Sequence, residues 1–298
     1  MRIDFIGIGG AKCGSTWIAK CLREHPEVGM SETKELNYFS RTRAFNTKSE
    51  YDARGINGYY ELFKKCTGKK KIGEYSTHYL PDSNVVKIIK KHFPNVKLIV
   101  SLRHPVERAY SEYLINRYFI LNEKDDFETA FLKRHKSYYD NYMDKGFYYK
   151  QLKPYFDNFP KRNIKVVIFE DVKKDAKKFI QEIYKFIEVD DKFIPESLNE
   201  KANPFSTTRF PLIVRTMEKG SGFIHFIESI GLGKLTSFIK RKTNLDKIYW
   251  KLYEKNRKDI KKPRLEPELK KRLMKVYLKD IKKLEKLIGK NIPQWKNE

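Results

Sequence analysis

Cysteine and long apolar runs are scarce in this 298-residue sequence, and each scarcity excludes a class of protein. Three cysteines, Cys13, Cys21 and Cys66, are too few for a disulfide framework, so a reducing, cytoplasmic environment is expected. No apolar run approaches the ~18 residues that cross a membrane. The first strand begins so early that no signal peptide is expected. The histidines show no paired metal-ligand spacing and there is no Cys-x-x-Cys, so a structural zinc site is not expected.

Acidic residues are also few. The sequence has 38 Asp and Glu against 63 Lys and Arg, which gives a net charge of +25. One explanation is an anionic partner: a nucleotide, a polyanionic sugar, a nucleic acid or a membrane surface. The other is a sequence that uses lysine as its ordinary surface residue. Hydrophobic residues make up 40% of the chain, which is enough for a buried core and excludes wholesale disorder.

Strands and helices alternate along the first 190 residues. The patterns predict strands at 3–8, 71–75, 97–102 and 164–169, and helices at 16–24, 51–65, 84–93, 105–121, 146–159 and 173–187. This alternation predicts a three-layer, P-loop-like α/β fold, in which a central parallel sheet has helices on both faces. We expect one domain with a nucleotide-binding core of about 1–190. A helical, basic C-terminal part of about 191–298 should hold a loop at 193–211 and a long helix at 266–288.

A glycine-rich turn, GIGGAKCGST at residues 7–16, joins the first strand to the first helix. Glycines permit a tight turn whose free amides and helix dipole attract an anion, so the turn predicts a phosphate site. A loop that hydrolyses ATP or GTP has its lysine directly after the last glycine. Here Ser15 follows Gly14 and the lysine is Lys12, so hydrolysis through a Walker loop is not expected. A thiolate is expected to be favoured at Cys13, at the helix start.

A second strand-to-helix junction, LRHPVERAYS at residues 102–111, carries Arg103 at the strand end and Arg108 and Ser111 on one helix face. Ligands bind at the carboxyl ends of parallel strands, so an arginine fork with a serine hydroxyl predicts a second phosphate site. For Arg108 an ion pair with Glu107 or Glu112 on the helix surface is the alternative. Two phosphate sites on one sheet edge suggest a nucleotide with phosphates at both ends.

The two motifs, G-x-x-K-x-G-[ST]-[ST] and L-R-x-P-x-x-R-x-x-S, resemble the heparan-sulfate-type branch of the sulfotransferases that use 3′-phosphoadenosine 5′-phosphosulfate (PAPS). The segments KELNYF at 34–39, GEYSTHY at 73–79 and LEKLIG at 284–289, then Trp295, are also similar to that family. The resemblance implies that the first turn binds the 5′-phosphosulfate and the second block binds the 3′-phosphate. It implies a PAPS-dependent sulfotransferase that releases 3′-phosphoadenosine 5′-phosphate (PAP) and needs no metal.

Displacement at sulfur needs a base at the acceptor and a cation at the leaving oxygen. Lys12 is the candidate cation, and the resemblance assigns the base to Glu35, with Lys34 beside the reacting groups. The candidate ligands of the 5′-phosphate are the residues of the turn: Lys12, Cys13, Gly14, Ser15, Thr16 and Trp17. The resemblance assigns the 3′-phosphate to Arg103 and Ser111, and it makes Arg209 the late-loop residue that reaches the nucleotide phosphates.

The sequence departs from the family pattern mainly on the acceptor side. Tyr75 stands where a lysine is expected, and Leu114 and Ile115 stand where a histidine is expected; the cysteine pair of the late loop is missing at 203–210. Glu35 and Arg209 could instead be solvated loop residues, and His78 a packed or capping histidine.

The acceptor is expected to be a hydroxyl or amine of a glycan or small molecule, and the sequence does not determine which, nor the oligomeric state. An atypical P-loop kinase is an alternative that lacks a lysine after Gly14. A basic nucleic-acid-binding protein is another, but it leaves both phosphate motifs unexplained. No nucleic-acid partner and no membrane span are expected.

Overall fold

A five-stranded parallel sheet forms the centre of the computed structural model, which describes residues 2–41, 49–120, 123–133, 142–200, 206–209, 255 and 257–296. Its spatial order is β2-β3-β1-β4-β5, with strands β1 Phe5–Gly9, β2 Val28–Met30, β3 Lys71–Tyr75, β4 Lys97–Leu102 and β5 Ile164–Ile168. The predicted parallel α/β architecture is confirmed. Sequence reasoning missed β2, because three residues between a proline and a polar segment are too short to show a strand pattern.

Nine α-helices lie between and after these strands in the described part of the chain. They are α1 Ser15–Glu24, α2 Glu50–Glu61, α3 Ser83–His92, α4 Pro105–Ile115, α5 Phe127–Leu132, α6 Tyr148–Asn158, α7 Ala176–Ile187, α8 Pro267–Met274 and α9 Leu278–Ile288. Short 3-10 turns lie at Lys64–Cys66, Asp144–Gly146, Lys161–Asn163, Phe169–Lys173, Glu196–Asn199, Lys275–Tyr277 and Pro293–Trp295. None of these described helices is both long and apolar enough to cross a membrane.

Three predicted elements differ from those observed. Helix α4 ends at Ile115 and continues as a π-helical turn, Asn116–Ile120, instead of running to 121. The single helix predicted at 266–288 is two helices, because the 3-10 turn Lys275–Tyr277 separates α8 from α9. The predicted loop at 193–211 contains a strand, β6 Ser206–Thr208, antiparallel to β7 Arg257–Asp259. Most of the basic segment at 212–262 lies outside the described residues.

Two apolar cores cover the two faces of the sheet, because successive strand residues point to opposite sides. On one face, side chains such as Ile6 and Leu98 pack with helices α3, α6 and α9. On the other face, Phe5 and Ile99 pack with α1 and α7. Trp295, close to the end of the chain, is fully buried in the first core. The C-terminal helices therefore complete one layer of the fold and leave the carboxyl edge of the sheet to the turns that follow β1 and β4.

Candidate functional site

The turn between β1 and α1 is built to leave its amides open. Gly14 has a left-handed conformation with φ 81°, and a Cβ there would lie 2.3 Å from the Phe169 ring, so only glycine fits. Helix α1 starts at Ser15 without a side-chain cap and without an acidic residue in its first turn. Its first amides have no acceptor within the helix, and they carry the positive end of its dipole. The turn can therefore receive an anion through its backbone.

The side chains of this turn divide between the core and the surface. Ser15 is buried and Thr16 is exposed. The Trp17 indole is buried and donates to the Ser197 carbonyl at 3.0 Å, which leaves its backbone amide at the site. Burial raises the pKa of the Cys13 thiol to about 11, which corrects the expectation of a favoured thiolate. Cys13 therefore contributes its amide to the turn and not a reactive sulfur.

Hydrogen bonds join this turn to the carboxyl end of β4, which pairs with β1. The Gly10 amide donates to the Ser101 carbonyl at 2.7 Å, and Ser101 Oγ donates to the Cys13 carbonyl at 2.6 Å. Arg103 Nη1 approaches the Lys12 carbonyl at 3.5 Å. The two junctions singled out in the sequence are thus neighbours on one sheet edge, in fixed register.

Arg103 lies at the start of α4 among other charged groups. Its Nη2 donates to Glu107 Oε2 at 2.9 Å, and Lys270 Nζ from α8 contacts the other Glu107 oxygen at 3.1 Å. Burial opposes ionisation of Glu107, but the bonds and charges of Arg103 and Lys270 lower its pKa to about 2. Ser111 follows Glu107 by four residues and so shares its helix face. Arg103 and Ser111 therefore border the same patch of α4.

Lys12 belongs to the first junction, and its carbonyl is approached by Arg103 of the second junction. Desolvation lowers its pKa to about 8, Glu112 opposes this, and the charges of Arg103, Lys34 and Arg108 add to it. Lys12 also has a left-handed backbone with φ 64°, which is unusual for a residue with a side chain. A strained lysine among several cations is a candidate for binding an anion, since a bound anion would favour its charged form.

Lys262 is a further candidate cation, which the sequence analysis does not single out. Its side chain is exposed by area, yet desolvation, with Arg103 and Lys12 adding to it, lowers its pKa to about 8. The amine is therefore within the electrostatic influence of Arg103 and Lys12. No sequence signal separates Lys262 from the many other lysines of the C-terminal part. Arg209, the predicted late-loop residue, is exposed, and no contact among the described residues places it beside Lys12.

Arg108 forms the ion pair with Glu112 that the sequence analysis gives as its alternative role, but the pair lies in the interior and not on the helix surface. It is 1% exposed, and it donates to Glu112 at 2.7 Å and to the Tyr142 carbonyl at 2.5 Å. Glu112 also receives Lys145 Nζ at 2.6 Å. Burial works against ionisation of Glu112, but Lys145 and Arg108 lower its pKa to about 2. Arg108 therefore stabilises the helix face that carries Ser111.

Glu35 lies on the loop that follows β2 and is held by three donors. The Thr77 amide donates to Oε2 at 2.7 Å, Thr77 Oγ1 lies 3.0 to 3.1 Å from both oxygens, and Lys34 Nζ forms an ion pair with Oε1. Glu35 also has a left-handed backbone with φ 63°. The Glu35 amide donates to the Tyr75 carbonyl at 3.1 Å, and the Tyr75 hydroxyl donates to the Gly9 carbonyl at 2.7 Å, so Tyr75 connects this loop to the glycine-rich turn.

Tyr75, which stands where the family pattern has a lysine, and His78 lie in the segment at 73–79. The Tyr75 ring is fully buried beneath β1, and its hydroxyl donates to the Gly9 carbonyl at 2.7 Å, so it supports the turn from below. Its ring lies where a Cβ on Gly7 would be, at 2.2 Å. Desolvation lowers the pKa of His78, which lies within the electrostatic influence of Glu35 and Lys34. His78 directly follows Thr77, whose amide and hydroxyl bond to the Glu35 carboxylate.

Among the described residues, no group of three His, Cys, Asp or Glu side chains is arranged to hold a metal ion.

Comparisons with known proteins point to one family. The family model of the sulfotransferase domain matches residues 2–210. The membrane-associated sulfotransferase kil1 of Dictyostelium discoideum is 33% identical over 137 residues, which are 45% of this chain and 25% of the relative. Carbohydrate sulfotransferase 15 of Homo sapiens is 31% identical over 163 residues, which are 41% of this chain and 28% of the relative. The chain thus spans only about a quarter of the length of these relatives.

A solved structure extends the likeness to the whole chain. The crystal structure of a sulfotransferase from Alicyclobacillus acidocaldarius aligns with a TM-score of 0.70 and covers 100% of both chains, at 22% identity. At this identity the likeness concerns the fold alone, and it includes the C-terminal part beyond the family match.

Proposed function

Because this chain belongs to the sulfotransferase family, we propose that it moves the sulfuryl group of PAPS to a hydroxyl or amine of a glycan or small-molecule acceptor. One observation carries the proposal: the glycine-rich turn with Lys12 and the Arg103–Ser111 edge lie side by side at the ends of β1 and β4. A nucleotide with phosphates at both ends can bridge two such sites. A Walker-type loop needs only the first of them.

The nucleotide would be held by backbone amides at one end and by side chains at the other. Amides of the turn and of the first turn of α1, with the hydroxyls of Ser15 and Thr16, would bind the 5′-phosphate. Arg103 and Ser111 would bind the 3′-phosphate, where the guanidinium now pairs with Glu107. Lys262 is a further candidate cation, and Arg209 stays a prediction.

In the proposed reaction the acceptor oxygen or nitrogen attacks sulfur in line with the leaving oxygen. The new bond to sulfur forms as the bond from sulfur to the 5′-phosphate oxygen breaks, and PAP leaves with the electron pair. Lys12 stabilises the negative charge that grows on that oxygen. Glu35, oriented by Thr77 and Lys34, takes the proton from the acceptor. Since lysines supply the positive charge, we propose that no metal ion is needed.

The identity of the nucleotide is tested by comparing PAP with AMP, which differs from it only by the 3′-phosphate. Replacing Arg103 by alanine should lower the affinity for PAP roughly ten- to a hundredfold, because a charged hydrogen bond is lost. The affinity for AMP should stay the same. Isothermal titration calorimetry of both nucleotides measures this difference. Arg162→Ala, which removes an exposed arginine elsewhere, is the matched control and should leave both affinities unchanged.

An equal loss of PAP and AMP in Arg103→Ala would show that Arg103 does not contact the 3′-phosphate. Titrations of ATP and of duplex DNA separate the other function classes. ATP binding more tightly than PAP would favour a kinase, and strongly salt-dependent DNA binding without PAP binding would favour a nucleic-acid-binding protein.

The affinity for PAP should fall as pH rises through about 8, because the pKa values of Lys12 and Lys262 are both about 8. Below that pH both amines already carry their protons. Above it, binding an anion must take up protons, which costs up to about tenfold in affinity per pH unit for each lysine. Calorimetry in buffers of different ionisation enthalpy measures the protons taken up. Lys262→Ala should flatten the pH slope, and an affinity independent of pH would contradict both assignments.

We also propose that the chain works in a reducing compartment such as the cytoplasm. The state of its cysteines supports this, since Cys13, Cys21 and Cys66 are all buried free thiols.

A further inference from the structure

A buried carboxylate, Glu74, lies behind the loop that carries Glu35, and no step of the proposed reaction uses it. Glu74 is the penultimate residue of β3 and is fully buried. It accepts three hydrogen bonds: Tyr59 Oη and Tyr79 Oη donate to Oε1, each at 2.8 Å, and Ser76 Oγ donates to Oε2 at 2.6 Å. Burying a charged carboxylate is costly, so a site with three aligned donors calls for a reason beyond packing.

Two of these three hydroxyl groups also accept hydrogen bonds from the loop that carries Glu35. Tyr79 Oη accepts a hydrogen bond from the Tyr38 amide at 3.0 Å, and Ser76 Oγ accepts one from the Asn37 amide, also at 3.0 Å. The two oxygens of one carboxylate are therefore linked to two consecutive backbone amides, two and three residues after Glu35. Each hydroxyl is oriented, because it donates to Glu74 and accepts from the loop.

The loop needs such anchors because its backbone is strained. Glu35 has φ 63° and Asn37 has φ 49°, in the left-handed region that residues with a Cβ disfavour. Without the links to Tyr79 and Ser76, the amides of Tyr38 and Asn37 would lose their partners, and the loop would be free to relax. Relaxation would move the Glu35 carboxylate away from the Thr77 donors that orient it.

We propose that Glu74 is a positioning residue whose ionised carboxylate, acting through Tyr79 and Ser76, fixes the loop conformation that aims Glu35 at the acceptor. The catalytic consequence rests on the proposed function of Glu35. The fixing of the loop does not, because it concerns backbone amides that can be observed without substrate.

The proposal implies a pH dependence of the loop. Burial is the main cause that raises the pKa of Glu74, to about 7, and the charge of Glu35 also raises it. The hydrogen bonds from Ser76, Tyr59 and Tyr79 act in the opposite direction and lower it. Those four residues are the titratable or hydroxyl groups that face it from α2, from the Glu35 loop and from the segment after β3. Above pH 7 the carboxylate makes charge-assisted bonds, which are roughly twice as strong as neutral ones. Below pH 7 one oxygen carries a proton, so the loop is held less firmly.

The folding stability should depend on pH in the opposite direction to the order of the loop. The folded pKa of Glu74 lies above its ordinary value of 4.5, so its contribution to stability is largest at low pH and is lost as pH rises through about 7. A merely structural role would make loop order follow stability. The positioning role makes the loop more ordered at the pH where Glu74 stabilises the fold less.

Amide hydrogen exchange at Asn37 and Tyr38, read by NMR, tests the proposal without any ligand. In the wild-type chain we expect both amide shifts to titrate with a midpoint near pH 7. Glu74→Gln should abolish that titration and speed exchange roughly tenfold at alkaline pH, because an amide side chain can accept from only one of the two hydroxyls. The matched control is Glu285→Gln, which alters another buried carboxylate that holds a backbone amide, that of Ile292 at 2.7 Å.

Single-link variants keep the test decisive if Glu74→Gln does not fold. Ser76→Ala should speed exchange at Asn37 and not at Tyr38, and Tyr79→Phe should do the reverse. Equal protection of both amides in all three variants, or a wild-type titration that survives in Glu74→Gln, would overturn the proposal.

Activity provides the second readout, with PAP binding as its reference. Glu74→Gln should lower kcat roughly ten- to a hundredfold, as expected for a displaced catalytic group, and leave PAP affinity unchanged. It should also remove the fall in rate below pH 7. If the wild-type chain neither binds PAP nor transfers a sulfuryl group, the proposed function fails, while the amide measurements still decide the role of Glu74. If the wild type is active and Glu74→Gln keeps full kcat, the positioning role fails alone.

Discussion

Replacing Lys12 by alanine is expected to lower the rate of sulfuryl transfer by roughly a hundred- to a thousandfold. The loss follows from the charge that grows on the leaving oxygen, since removing one preorganised donor from such an oxygen typically costs about 3 to 4 kcal/mol of transition-state stabilisation. Lys12 is held for this task by a left-handed backbone and by the tie between its carbonyl and Arg103. The measurement is transfer from radiolabelled PAPS to the best acceptor found in a screen of glycans and small hydroxyl and amine compounds.

Affinity for PAP is the internal reference for this variant. Lys12 would contact the phosphate in the ground state too, so a moderate loss of PAP affinity is expected alongside a much larger loss of kcat. Lys20→Ala is the matched control, because Lys20 lies on the exposed face of α1 and pairs with Glu200. Near-normal turnover in Lys12→Ala would refute the role at the leaving group.

The parts of this site that sequence reasoning located are local strand-to-helix junctions. Gly14, Lys12 and Ser15 are neighbours in the chain, and so are Arg103 and Pro105, so each junction can be recognised from its own segment. That the junctions lie side by side follows from the parallel sheet, because the carboxyl ends of all its strands share one edge. Periodicity and a glycine turn are therefore enough to predict where these two junctions lie.

The rest depends on contacts between distant segments, which no local pattern reports. Glu74 reads as an ordinary acid in the sequence, and only the fold brings Tyr59 and Tyr79 to its carboxylate. Tyr75 reads as a departure from the family, and only its burial under Gly7 shows that it supports the turn. Lys262 has no distinguishing neighbours in the chain.

The predicted boundaries of two helices are wrong for a related reason. Helix α4 has an apolar pattern that continues past Ile115, but the backbone widens there into a π-helical turn that packs against β6. In the 266–288 segment the helical period continues through Lys275–Tyr277, yet the buried Tyr277 donates to the Met143 carbonyl at 2.8 Å where the helix is interrupted. In both places tertiary packing overrides the local preference for one continuous helix.

Changing Glu35 to glutamine is expected to lower transfer by roughly a hundredfold or more and to leave PAP binding nearly unchanged. The variant keeps the size of the side chain and removes its ability to take a proton, so the loss equals the contribution of a general base. PAP affinity should persist, because the proposed nucleotide ligands belong to the turn after β1 and to the segment 103–111, whereas Glu35 bonds to Thr77 and Lys34. Calorimetry with PAP and the radiolabelled transfer assay, run on the same preparation, give the two quantities.

Glu32→Gln is the matched control, since Glu32 is an exposed acid three residues earlier that pairs with Lys65. It should change neither quantity. A large loss of PAP affinity in Glu35→Gln would show that this carboxylate supports the nucleotide site and not the acceptor. Full activity would instead transfer the role of base to another group on the acceptor side, and His78, which lies within the electrostatic influence of Glu35, would be the first residue to replace. Each result thus assigns the proton to Glu35 or to another group.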